Sequence, residues 1–176
     1  MSHSVYVALV PPESLQSALA LPFGIPPQDI HLTLAYLGHS RSFSPSRLDH
    51  LASILEAFAT SVPALSGTIT ASSRFDPSGP SGGREVLWRA VEMPALASFR
   101  ASLVTLLANQ GFHIAGDFPT SPPHLTLAYL PPGIHFKFSP KPLPWQASSL
   151  TLINGSRATL FPFLVSPSEP SLPSLA

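Results

Sequence analysis

Cysteine is absent from the 176-residue chain, and with it go disulfides, thiolate metal sites and cysteine nucleophiles. The redox compartment is left open. Charge is also scarce. Nine Lys+Arg balance nine Asp+Glu, and charged residues make up 10%, against about 25% in an ordinary soluble domain. A protein that grips long duplex DNA neutralises many phosphates with lysine and arginine, so that partner is disfavoured, while a small anion held by a few residues is not. No apolar run reaches the ~18 residues of a spanning helix, and Met1–Val10 has no cationic segment leading into a long apolar one. A cytoplasmic location and no membrane partner are the expectations. Gly79, Gly82 and Gly83 do not lead from a strand into a helix, so no Gly-rich phosphate loop is present. Asp29 and Asp117 are isolated carboxylates, too few to join histidines in a metal site. No metal and no cofactor are expected.

Proline, by contrast, is abundant, with 22 residues. Most of them punctuate loops between apolar segments, and only Pro167–Ala176 reads as a loose Pro/Ser-rich tail. The most informative feature is a repeat. The heptapeptide His-Leu-Thr-Leu-Ala-Tyr-Leu occurs at His31–Leu37 and again at His124–Leu130. The β-rich run Val5–Val10 precedes Pro11-Pro12 and the helical stretch Glu13–Leu19. Likewise Val86–Val91 precedes Pro94 and a helical pattern over Ala95–Asn109. Aligning Pro12 with Pro94 places Tyr6 on Trp88 and leaves an insertion around Gly111–Ser121, a Gly/Pro stretch where length is tolerated.

After the first heptapeptide, Pro45–Ser61 has helical apolar spacing and Leu65–Ala71 reads as a strand. After the second, strands are expected at Ser149–Ile153 and Thr159–Leu164, turned by Asn154-Gly155. These elements predict an α+β protein: one domain over residues 1–166, bilobal, with mainly antiparallel sheets related by an approximate two-fold axis and flanked by helices. The lobes are expected at about 1–78 and 84–166, divided within Ser72–Gly83. The two heptapeptides then face each other across a central cleft.

Side chains alternate across a strand, so His31 and Thr33 share one face while Leu32, Leu34 and Tyr36 share the other. His124 and Thr126 repeat the arrangement. A lone histidine on an apolar strand is commonly a satisfied core residue. Duplication for folding, however, accounts for the leucines and not for a repeated polar pair on the opposite face. Two imidazoles suit phosphodiester cleavage without a metal. Histidine titrates near ~6.5, so one ring can take a proton while its partner donates one to the leaving oxygen. Threonine hydroxyls can hydrogen-bond the non-bridging oxygens as their charge grows.

At these residues the chain resembles the two-histidine (2H) phosphoesterase superfamily, whose signature is two copies of His-x-Thr/Ser each followed by an apolar residue. It is also similar to the RNA 2′,3′-cyclic phosphodiesterases called 2′-5′ RNA ligases. It shares the strand, proline and helix order, His31–Gly38, and the Phe75–Pro77 segment before the Val86–Trp88 strand. The resemblance covers about Val5–Leu164. It implies a bilobal fold and metal-independent action on 2′,3′-cyclic phosphates or 2′-5′ linkages, with His31 and His124 as acid and base and Thr33 and Thr126 as phosphate ligands. RNA ends or small nucleotides are the implied partners, and a monomer is the expectation. Some phage-encoded members degrade cyclic oligonucleotide signals of bacterial defence, and that substrate class stays open. So does a rival of another kind, a non-catalytic nucleotide-binding module. Tyr129, a further candidate to contact substrate, stands where many RNA-processing members carry arginine. Tyr6 and Trp88 are candidates to stack on a base, and Arg89 is a candidate to meet a phosphate if its strand borders the cleft.

Overall fold

Apolar patterning dictates the order of elements. The computed structural model describes residues 4–75, 83–115, 122–133 and 140–164. β1 (Ser4–Leu9) passes through Pro11-Pro12 into α1 (Glu13–Leu19), and β2 (Leu32–His39) leads to α2 (Pro45–Ala59) and β3 (Leu65–Phe75). β4 (Glu85–Glu92), α3 (Leu96–Asn109) and β5 (His124–Leu130) repeat the opening, followed by β6 (Leu143–Ala147), β7 (Ser149–Asn154) and β8 (Arg157–Pro162). α2 begins where the Ser44 hydroxyl accepts the Arg47 N–H at 3.2 Å, with Pro45 in the first turn, where a missing N–H costs nothing. α3 stops at Gly111, whose φ of 77° is open to a residue without Cβ. The Phe112 N–H then returns to the Leu107 carbonyl at 2.9 Å and the Gly111 N–H to Ala108 at 3.0 Å, closing the helix end.

Two antiparallel four-stranded sheets result, in the orders β2-β1-β7-β8 and β5-β4-β3-β6. With the three helices this is the expected α+β architecture. Its internal symmetry is visible in the strand order: β5, β4, β3 and β6 occupy the places of β2, β1, β7 and β8.

The lobes are not the contiguous segments 1–78 and 84–166. β3, from the first half, completes the second sheet, and β7 and β8, from the second half, complete the first. A two-stranded ribbon has too little apolar face to stand alone, and each half fills its sheet with strands from the other. The turn between β7 and β8 also differs from the expected Asn154-Gly155. Asn154 pairs with Arg157, so the loop is Gly155-Ser156, with Gly155 at φ 61°. The expected tail at 167–176 lies outside the described residues, as do 76–82 of the lobe boundary and 116–121 of the insertion.

Buried side chains of both sheets and of α2 and α3 form one apolar cluster. Leu51 and Leu55 of α2 and Leu103 and Leu107 of α3 are fully buried, each contributing about 1.5–3 kcal/mol of transfer free energy. Phe99 of α3 meets Phe58 of α2 and Phe163, with ring centroids 5.4 and 5.6 Å apart. No helix among the described residues is long and apolar enough to cross a membrane.

Candidate active site

The two heptapeptides form β2 with the residue before it, and β5. The two strands share a one-residue bulge at the same place in the repeat, and β2 carries a second at Leu37. Along β2, Thr33 pairs with Ala8 and Ala35 with Val7, leaving Leu34 extra; along β5, Thr126 pairs with Trp88 and Ala128 with Leu87, leaving Leu127 extra. An extra residue reverses the alternation beyond it. His31 and Thr33 therefore share their face with Tyr36 and not, as strict alternation predicts, with the residues opposite it. Tyr36 pairs with Tyr6 and lines the cleft, and Tyr129 is likewise turned out, 44% exposed. Leu34, Ala35, Leu127 and Ala128 are buried as consecutive pairs.

The histidines are held in matching ways. His31 Nδ1 lies 2.6 Å from the Asp29 carbonyl and His124 Nδ1 lies 2.8 Å from the Pro122 carbonyl. A carbonyl oxygen can only accept, so each Nδ1 carries the proton and donates it, leaving Nε2 of both rings for chemistry. The residues just before the strands, the end of a 3-10 turn at Pro27–Asp29 with the extended Ile30 in one case and Pro122-Pro123 in the other, set this geometry. Aromatic walls complete it. The Tyr6 ring sits 4.9 Å from His31, while His124 is flanked by Phe75 at 4.9 Å, edge to face, and by Trp88 at 5.6 Å.

Burial pushes both imidazoles below the ordinary histidine pKa, because the charged ring loses hydration. For His31 the carbonyl and the carboxylate of Asp29 pull the other way, and His124 adds to the depression. For His124 the Pro122 carbonyl is the opposing influence. Both rings are thus biased toward the neutral form, and the two sheets bring them near enough for His31 to sense His124.

A cavity of about 560 Å³ opens beside His31 and Thr33. Tyr6, Tyr36 and Tyr129 supply its aromatic lining. His124 and Thr126 stand on the other sheet and are not among its lining residues. The β7–β8 turn is fastened to β1, the Gly155 N–H donating to the Ser4 carbonyl at 3.0 Å, and this places Ser156 and Ser4 in the lining.

Arg89 does not border the cleft. It pairs with Leu125 on the core face, is 2% exposed, and donates to the carbonyls of Ile69 (3.1 Å), Thr70 (2.8 and 3.0 Å) and Lys141 (2.7 Å). Strand pairing is interrupted between Ile69 and Ser72, and the guanidinium satisfies carbonyls that this irregularity leaves without ladder partners. Trp88 does face the same side as Thr126, but it is 8% exposed and stacked on Phe75 at 4.9 Å. It supports His124 and offers little open face to a base.

Of the residues singled out in the sequence, the structure brings Tyr6, His31, Thr33 and Tyr129 to one cavity, sets Trp88 behind His124, and removes Arg89 to the core. Tyr36, Phe75 and the two anchoring carbonyls were not foreseen. The identity of Tyr36 with Tyr129 in the repeat is the one sequence signal that pointed to the first of these.

No family model and no curated protein matches the chain. Solved structures do. TT0787 of Thermus thermophilus superposes with a TM-score of 0.66 at 20% identity, over 89% of this chain and 94% of its own. A structure described as a phosphoesterase gives 0.63 at 18% identity, covering 93% and 96%. E. coli LigT in complex with 3′-AMP gives 0.63 at 19%, again over 93% and 96%. The chain therefore shares the fold of these structures, the fold expected from its paired His-x-Thr motifs.

Proposed function

We propose that this protein is a metal-independent 2H phosphodiesterase acting on nucleotides or RNA ends that carry a 2′,3′-cyclic phosphate or a 2′-5′ linkage. One observation carries the reading: two histidines on facing strands, each anchored through Nδ1 to the carbonyl two residues earlier, each with a threonine two residues later on the same face. In hydrolysis of a cyclic phosphate, a neutral imidazole takes a proton from water as its oxygen bonds to phosphorus. The other, as imidazolium, gives its proton to the ribose oxygen released when the P–O bond breaks. Thr33 and Thr126 hydroxyls hold the non-bridging oxygens, where charge accumulates. Among the described residues no group of three or more His, Cys, Asp or Glu is placed to hold a metal. The neighbour LigT has been solved with 3′-AMP, phosphate, NADP+ and ATP, which supports a nucleotide-sized phosphate ester as ligand.

The test is turnover in EDTA, by mass spectrometry, of nucleoside 2′,3′-cyclic phosphates, a cyclic-phosphate-ended oligoribonucleotide, 2′-5′ oligoadenylate and cyclic dinucleotides. His31→Ala and His124→Ala are each expected to lower kcat/KM by roughly 10²–10⁴ while remaining folded. Activity that needs an added divalent ion, or that survives either substitution, would sink the mechanism.

A further inference from the structure

Among its described lining residues, the cavity beside His31 carries fixed charge of one sense only. The described residues lining it include no lysine or arginine, and its single fixed ionic group is the Asp29 carboxylate. Arg84, whose guanidinium carbon stands 4.9 Å from the Tyr129 ring centroid, is outside that lining. The remaining walls are three phenol rings and the apolar Ile25 and Pro26; the far end offers neutral hydroxyls, with Ser4 Oγ 3.3 Å from the Tyr36 hydroxyl. The Asp29 charge is felt across the space. Burial, helped by the charges of Asp29 and Tyr129, raises the Tyr6 phenol above its ordinary value, so Tyr6 stays a neutral donor.

Planar rings with neutral hydrogen-bonding groups suit a base and its sugar, since any base presents a π-face to an aromatic. A second phosphate entering the same space would lose its hydration beside a carboxylate, with no lining cation to compensate. We propose that this cavity receives the nucleoside side of the substrate and rejects a further phosphate there, so that the preferred substrates carry one reacting phosphodiester and an unphosphorylated nucleoside beyond it. The proposal rests on the phosphodiesterase reading for where the reacting phosphate lies, and on the cavity's composition for the selectivity.

Binding tests it without requiring turnover. Dissociation constants for the four nucleoside 3′-monophosphates and the matching 3′,5′-bisphosphates are measured by calorimetry on the wild-type chain, Asp29→Asn and Ser156→Lys. For the preferred base the monophosphate is expected to bind at least about tenfold more tightly, a gap of ~1.4 kcal/mol. Asp29→Asn, which keeps the carbonyl that holds His31, is expected to narrow the gap, and Ser156→Lys, which adds a cation at an exposed turn of the lining, to close or reverse it. A bisphosphate bound as tightly as its monophosphate, a gap indifferent to both substitutions, or no binding of either ligand would overturn the proposal. The expected gap without any turnover of cyclic phosphates would leave the cavity's selectivity standing and reject the phosphodiesterase reading instead.

Discussion

The orientation of His31 and His124 comes from main-chain carbonyls, so the proposed acid–base role depends on backbone geometry more than on any neighbouring side chain. Their protonation carries a consequence for stability. Both folded pKa values lie below the unfolded value of about 6.5. The unfolded chain therefore binds protons first as pH falls, and stability rises with pH through this window. The free energy of unfolding from urea titrations should decline as pH drops below about 6.5, with a shallower decline in the double variant His31→Gln/His124→Gln. Equal slopes would show that the rings are not buried as described. Arg89 makes the opposite kind of contribution, to the fold and not the chemistry. Arg89→Met leaves three carbonyls without their donor, that of Ile69 in a buried bond and those of Thr70 and Lys141 in partly buried ones, and a loss of about 3 kcal/mol in urea unfolding is expected, with kcat/KM per folded molecule unchanged. A specific loss of activity at full stability would return Arg89 to the site.

Bulges at Leu34 and Leu127 decide what the two heptapeptide strands present, and each is stabilised from the other half of the chain. The Leu34 carbonyl accepts from Arg100 Nε of α3 at 2.9 Å, and the Leu127 carbonyl accepts the Ile25 N–H at 2.8 Å. A third link of the same kind joins the Ala115 N–H to the Tyr36 carbonyl at 2.8 Å. The segment bearing Ile25 can approach so closely because Gly24 has no side chain. A Cβ there would stand 2.7 Å from the Leu127 oxygen and 3.2 Å from Leu21. Gly24→Ala is accordingly expected to cost about 1–3 kcal/mol and to loosen the Ile25 N–H, measurable as faster amide exchange at Ile25. An unchanged exchange rate would mean that the close approach is not needed for the bulge. The element boundaries themselves were largely legible, since α1, α2 and α3 follow the apolar spacing that marks them.

At the scale of the whole molecule, the exchange of β3 for β7 and β8 makes the two sheets mutually dependent and sets β2 beside β5. That juxtaposition is why a charge on His124 depresses the pKa of His31. In His124→Gln the His31 imidazole, followed by NMR of its ring protons, should titrate at a higher pH than in the wild type. An identical midpoint would show that the sheets do not bring the two rings within electrostatic reach.

The sequence by itself determined the repeated strand, its apolar side, and the pairing of His with Thr two residues on, because these follow from local composition and a period-two backbone. The departures have one physical origin. A bulge, a strand exchanged between halves, and an arginine sent inward to orphaned carbonyls are all answers to hydrogen bonds and surfaces supplied by distant segments. Local periodicity carries no record of such partners, so only the tertiary structure decided that Tyr36 faces the cleft, that Arg89 leaves it, and that the Asp29 carboxylate lines the cavity.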